Sequence, residues 1–351
     1  MDLSQFNSVN SDVCGRRHAT RKKSSELYER SGHRMICDRN YVYVVGGFSS
    51  SPFPHLYEEI WRFNLLSDTW EKLDISRDQF PREMASHASQ GENILVCTDL
   101  PSGSNFLRAF MFGGTSFPFG KDPSDQVHVL DRIDNNTFAW RRLITTGDFP
   151  IRQYGSCIVF HKDVLYLIGG TTGYVYNMEV RSLSPLGLNE GDETTVWDWK
   201  LLKNGFESGL TGRYRHETIV VNDDILIIGG GNTQWVAGLD KILTFSINDN
   251  CFKALLTYPD AEHGFPEGRM CHACLLYDRK IYVIGGCSAI NPETQDGCIY
   301  VFGGALDGQF QVRCNLLQRM WLRPPPLQYL CQRAVIKLFS KLFSSDIDSI
   351  T

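Results

Sequence analysis

Residues 164–180 read VLYLIGGTTGYVYNMEV. An apolar run of strand character stops at Gly169-Gly170, and the chain restarts after Thr-Thr-Gly-Tyr. A glycine pair behind a strand can cradle a phosphate or simply turn the chain. The phosphate reading needs G-x-G-x-x-G spacing and a helix to follow, and neither is present, so the choice rests on recurrence. The pattern recurs. Glycine pairs close apolar strands at 46–47 (YVYVVGG), 113–114 (AFMFGG), 169–170 (LYLIGG), 229–230 (ILIIGG), 285–286 (IYVIGG) and 303–304 (IYVFGG).

An arginine precedes each of the first five pairs: Arg30, Arg82, Arg152, Arg213 and Arg269, at intervals of 16, 31, 17, 16 and 16 residues. Strand-ending aromatics follow at Trp70, Trp140, Trp197/Trp199 and Phe252. A fixed internal period outranks any local motif in choosing a fold. Each unit holds several short strand patterns and almost no helical periodicity. The glycines let the chain leave an inner strand tightly, and the aromatic fills the wedge between neighbouring sheets. Gly169-Gly170 is therefore a turn in a repeat, and the fold class is an all-β propeller, nominally of six blades.

Two intervals depart from the period. The 31 residues from Arg82 to Gly113 imply an insertion within 97–108 (CTDLPSGSNFLR). The fifth and sixth glycine pairs stand only 18 residues apart, where a blade needs about 40 to 50, so the fifth and sixth blades read as incomplete.

The 351 residues are 42% apolar and 21% charged, with a net charge of −5, the balance of an ordinary globular chain and a poor one for gripping nucleic acid. The first residues lack the apolar core of a signal peptide, and no apolar run approaches the roughly 20 residues that cross a bilayer. The eleven scattered cysteines then read as reduced thiols of a cytoplasmic and nuclear protein. Residues 1–29 are polar and basic (GRRHATRKK at 15–23) and read as a disordered tail; the repeats occupy 30–323. After three prolines, 324–351 carries apolar residues at helical spacing from Leu327 to Leu342.

These repeats resemble the kelch family, whose blades pair a diglycine with a later tryptophan. The resemblance covers about residues 30–320 and is carried by RSGHR (30–34), EEIWRF (58–63), FPREMAS (80–86), GGTSFPFG (113–120), GGTTGYVY (169–176) and RYRHE (213–217). Leu327-x-x-x-Cys331-x-x-x-Val335 is similar to the elongin-binding BC box that some kelch receptors carry just after the propeller. The resemblance implies a substrate receptor of a cullin-RING ubiquitin ligase. The helix would recruit elongin B/C and through it cullin-2, and the propeller would hold a client's extreme C-terminus ending in a small residue. The competing reading is a non-ligase scaffold that binds a signalling or cytoskeletal protein, with the last helix capping the fold.

For a terminal carboxylate a relative in the family uses arginines in the loop after the fourth glycine pair, where this chain has GNTQW (231–235). The loop cations then fall to Arg213 and Arg215, flanked by Arg152 and Arg269, since Arg binds a carboxylate bidentately. Tyr154, Tyr174 and Trp235 are the candidate apolar walls. The repeated arginine can equally be structural, bonding a neighbouring carbonyl, and that reading is preferred for Arg30 and Arg82. His33, His216 and His272 share one repeat position, as packing residues do. Cys271-His272-Ala273-Cys274 has no second C-x-x-C or paired histidines to complete a zinc site, and alternation sends neighbours to opposite faces. No catalytic signature and no cofactor site is expected.

Overall fold

A computed structural model describes residues 27–75, 94–99, 107–187 and 195–286, less short breaks, together with isolated strands at 7–9, 300–302 and 317–319. Every regular element among the described residues is a β-strand, and none of them is a helix long and apolar enough to cross a membrane.

The strands form antiparallel meanders, one per repeat. The first blade runs Arg34–Cys37, Tyr41–Val45, Ile60–Asn64, Thr69–Ile75. The second runs Ile94–Asp99, Leu107–Phe112, Val127–Arg132, Thr137–Arg142. The third runs Cys157–His161, Val164–Thr171, Tyr176–Pro185, Val196–Lys203, with Ile144–Gly147 added in parallel at its outer edge. The fourth runs Tyr214–Val221, Asp224–Gly231, Lys241–Ser246, Cys251–Leu256. In the fifth, the described residues supply Ala273–Tyr277 and Lys280–Ile284. The innermost strands of consecutive blades lie side by side, so the sheets stand radially around a central channel.

Each second strand is apolar along its length because a blade packs a neighbour on both faces. Alternation then disappears, and from Leu165 to Thr171 and from Ile225 to Gly231 every residue is buried. The core is a series of layers between blades. Tyr43, Ile60, Met111, Phe138 and Trp140 fill the gap between the first two, and Phe110, Phe112, Leu167, Leu183, Trp197 and Trp199 the next. Met178, Val180, Ile227 and Phe245 follow. The aromatics anticipated as wedges sit in or against these layers: Trp140, Trp197 and Trp199 are buried, and Trp70 and Phe252 pack on Phe63 and Phe245.

The second-blade insertion opens the inner hairpin. Asp99 pairs with Leu107 across residues 100–106, whereas His161 and Val164, and Val221 and Asp224, close theirs over two residues. Within the stretch read as an unpacked tail, Asn7–Val9 forms a strand on Leu317–Arg319, which in turn pairs with Tyr300–Phe302. Residues 287–299 and 324–351, with Leu327, Cys331 and Val335 and the anticipated helix, lie outside the described residues.

Candidate binding site at the mouth of the channel

The repeat position of the arginine is set by its hydrogen bonds. Arg30 Nη1 donates to the Gly46 carbonyl, Arg213 Nη1 to Gly229 and Arg269 Nη1 to Gly285, each at 3.0 Å and each sixteen residues ahead. The second glycine of a pair donates its N–H to the arginine carbonyl of the following blade: Gly170 to Arg213 at 2.9 Å and Gly230 to Arg269 at 2.8 Å. In the third blade the residue in this position is Gln153, which accepts from Gly114 N–H. Arg152, read from the sequence as the repeat arginine, sits one residue earlier and is turned out: its side chain is 72% exposed, 3.7 Å from Asp125. Counting back sixteen residues from Gly169 would have found Gln153. The glycines are required here. At φ +61°, a Cβ on Gly229 would press into the Arg269 carbonyl oxygen and the His272 ring.

Two residues beyond the repeated position the blades are stitched backbone to backbone. Arg215 N–H donates to the Gly155 carbonyl at 2.9 Å, and Cys271 N–H to the Arg215 carbonyl at 3.1 Å. All three adopt the left-handed conformation, with φ of +64° at Gly155, +57° at Arg215 and +60° at Cys271. The Arg215 guanidinium lies 4.7 Å over the Tyr214 ring, and Nη1 donates to Cys271 Sγ at 3.3 Å. The next residues, His216 and His272, are buried against the glycine pairs. Burial, then the neighbouring guanidinium (Arg213 for His216, Arg269 for His272), lowers their pKa to about 3 and about 4, so both rings are neutral near pH 7.

The loops after the third and fourth glycine pairs have one design. Thr172 Oγ1 accepts from Tyr174 and Val175 N–H, and Asn232 Oδ1 from Gln234 and Trp235 N–H. Trp235 thus corresponds to Val175 rather than to Tyr174. Tyr174 is 94% exposed at the loop tip, while Trp235 stands over Arg213, whose Cζ is 5.1 Å from the ring centroid. Tyr154 is buried: its backbone exchanges two bonds with Thr171, and its ring lies under Gly173, which makes it part of the scaffold. Arg213 lies against Trp235, and Arg215 against Tyr214 and Cys271; Arg269 bonds the Gly285 carbonyl, and Arg152 and Tyr174 are the most exposed of the set.

Two of the three arginines of matched position differ in charge balance. Arg30 is stacked 3.9 Å from the Tyr57 ring and paired with Glu59 at 2.5 Å. Arg213 is only 8% exposed and has no carboxylate partner among the described residues; its Nε is without a hydrogen-bond acceptor, and burial lowers its pKa to about 10. It is still a cation at neutral pH. What faces it is the Gly229 carbonyl and the Trp235 ring, neither of which carries a full negative charge. Among the described residues no group of acidic, histidine and cysteine side chains could hold a metal, and burial pushes the Cys274 thiol up, away from thiolate chemistry.

A diglycine propeller with this arginine lattice is a kelch propeller, and the comparisons agree. The family described as the KLHDC2/KLHL20/DRC7 Kelch-repeats domain matches residues 108–286, and a Kelch motif matches residues 29–74; the chain belongs to the kelch-repeat family. Kelch domain-containing protein 10 of Xenopus laevis is 28% identical over 362 residues, spanning 89% of this chain and 80% of its own. The human protein of that name is 28% identical over 89% of this chain and 74% of its own length. Kelch domain-containing protein 2 of Bos taurus is 25% identical over 74% and 76%. Kelch propellers are protein-interaction domains and generally non-catalytic.

Proposed function

We propose that this chain is the substrate-recognition subunit of a cullin-RING ubiquitin ligase, and that the mouth of its propeller takes the free C-terminal carboxylate of a client protein ending in a small residue. The observation that carries the reading is Arg213, buried, cationic and without a carboxylate partner among the described residues, two residues from Arg215 and beneath Trp235. A carboxylate supplies two acceptors and one negative charge, which suits this pair. Arg269 and Arg152 add to the positive field, and Tyr174 and Trp235 bound the entrance. On this reading the segment with Leu327, Cys331 and Val335 docks elongin B/C, which brings cullin-2, and the complex works in cytoplasm and nucleus; that half rests on the sequence resemblance.

The test has two arms. A peptide ending in glycine with a free carboxylate should bind the purified chain, and its C-terminal amide should lose about 2–5 kcal/mol because the arginines are left desolvated. Arg215→Ala should weaken the acid and barely change the amide, a coupling read by a double-mutant cycle. Equal binding of acid and amide rejects the carboxylate site. In the other arm, Leu327→Asp with Cys331→Asp should abolish co-purification of elongin C, and unchanged recovery rejects the ligase half.

A further inference from the structure

Arg34 opens the innermost strand of the first blade, and Glu217 lies in the innermost strand of the fourth. Their side chains meet, Nη1 to Oε1, at 3.9 Å. The second and third blades stand between these two in the ring, so the contact joins no neighbouring sheets. It crosses the channel.

Glu217 is two residues past Arg215 on the same strand, which places the crossing about 7 Å below the mouth. The Cys157 and Cys274 thiols, from the third and fifth blades, both lie within the field of the Glu217 carboxylate, and Cys157 Sγ donates to the His216 carbonyl at 2.7 Å. The charged side chains are themselves three-quarters buried, 28% and 27% exposed. Two side chains in contact across a channel leave no passage for a polypeptide backbone between them. Separating them would also take the Arg34 cation away from the Glu217 carboxylate, whose pKa burial already raises and this cation holds down.

We propose that the Arg34–Glu217 pair is the floor of the mouth site and determines its specificity for a chain that ends there. The inference rests on the carboxylate reading above. A terminus stops above the pair and finds the guanidinium groups of Arg213 and Arg215. A chain that continues by further residues has to open the pair or be excluded. The floor thus selects against internal segments, a discrimination that the arginines alone would make only through the missing charge.

The experiment uses three peptide pools, random upstream: ending in glycine as the free acid, ending in glycine as the amide, and with that glycine continued by Gly-Ser-Trp-Trp-amide, whose own end is bulky and carries no charge. Wild-type chain should prefer the second over the third by roughly tenfold or more. Arg34→Ala with Glu217→Ala removes both charges together, which avoids an orphaned ion, and should narrow the second-to-third ratio to about two- or threefold while the acid-to-amide preference persists. If the double variant lacks the wild-type circular dichroism spectrum, Arg34→Ala alone is measured for the same narrowing. Equal acid and amide binding by the wild type sinks the carboxylate site itself. An acid preference with an extension penalty that is the same in the folded variant overturns the floor alone.

Discussion

Arg215 donates its backbone N–H to the carbonyl of Gly155 at 2.9 Å, and the two residues hold the same left-handed backbone, φ +57° and +64°. One blade fills this position with the residue that suits it, and the next with a residue that pays strain there. A non-glycine side chain in this conformation costs about 1–2 kcal/mol. Arg215→Gly should therefore leave the melting temperature unchanged or slightly raised, while binding of the acid peptide falls by roughly tenfold. A fall of many degrees would show that Arg215 is held for the fold and not for a ligand.

Two left-handed glycines, one in a turn and one in a glycine pair, allow a comparison of strain alone against strain with a clash. Gly209 has φ +70° and open space around its Cβ direction, so Gly209→Ala should cost about 1 kcal/mol. Gly229→Ala adds collision with the Arg269 carbonyl and the His272 ring, and should cost at least about 3 kcal/mol in urea unfolding. Similar costs at both positions would mean that the blade-to-blade contact yields easily.

The buried histidines give a pH signature. Their folded pKa values, about 3 for His216 and about 4 for His272, lie below the unfolded value near 6.5. The unfolded chain binds more protons between those limits. The stability they protect is present above about pH 6.5 and is lost as pH falls from there, at about 1.4 kcal/mol per pH unit for each ring. His272→Gln should flatten the stability curve between pH 6 and 4.5 by roughly that slope, measured by urea midpoints. An unchanged slope would mean that His272 stays charged in the folded protein.

The sheet pattern was legible because it repeats: a diglycine behind an apolar strand, met six times, fixes where each blade turns. The repeated arginine was legible as a position but not in every blade. Arg152 and Gln153 are neighbours in sequence; the Gly114 N–H, donated to Gln153, shows which of them holds the repeat, and only a strict sixteen-residue count back from Gly169 would have told them apart beforehand. Likewise Tyr174 and Trp235 both follow a glycine pair, yet the side-chain turns at Thr172 and Asn232 offset them by one residue, so one ring is at the rim and the other over Arg213. Arg34 and Glu217 could not have been paired by any local pattern. They are joined only by the closure of the ring, and the contact belongs to the space between elements, not to an element.

The outermost strands of the first two blades are hydrogen-bonded to each other, Thr137 opposite Asp74 and Phe138 opposite Ile75, with the Arg62 guanidinium also on Asn136 Oδ1 at 2.7 Å. The two repeats therefore share one eight-stranded sheet, while the third and fourth blades form separate sheets. Under load or transient opening, the ring has a stiff segment at one side and compliant joints at the other. Amide protons of the first two blades should exchange together, as one cooperative unit, and a pull applied across the ring should part it first at the later joints, where among the described residues the backbone bonds between blades lie at the mouth and no outermost strands are paired.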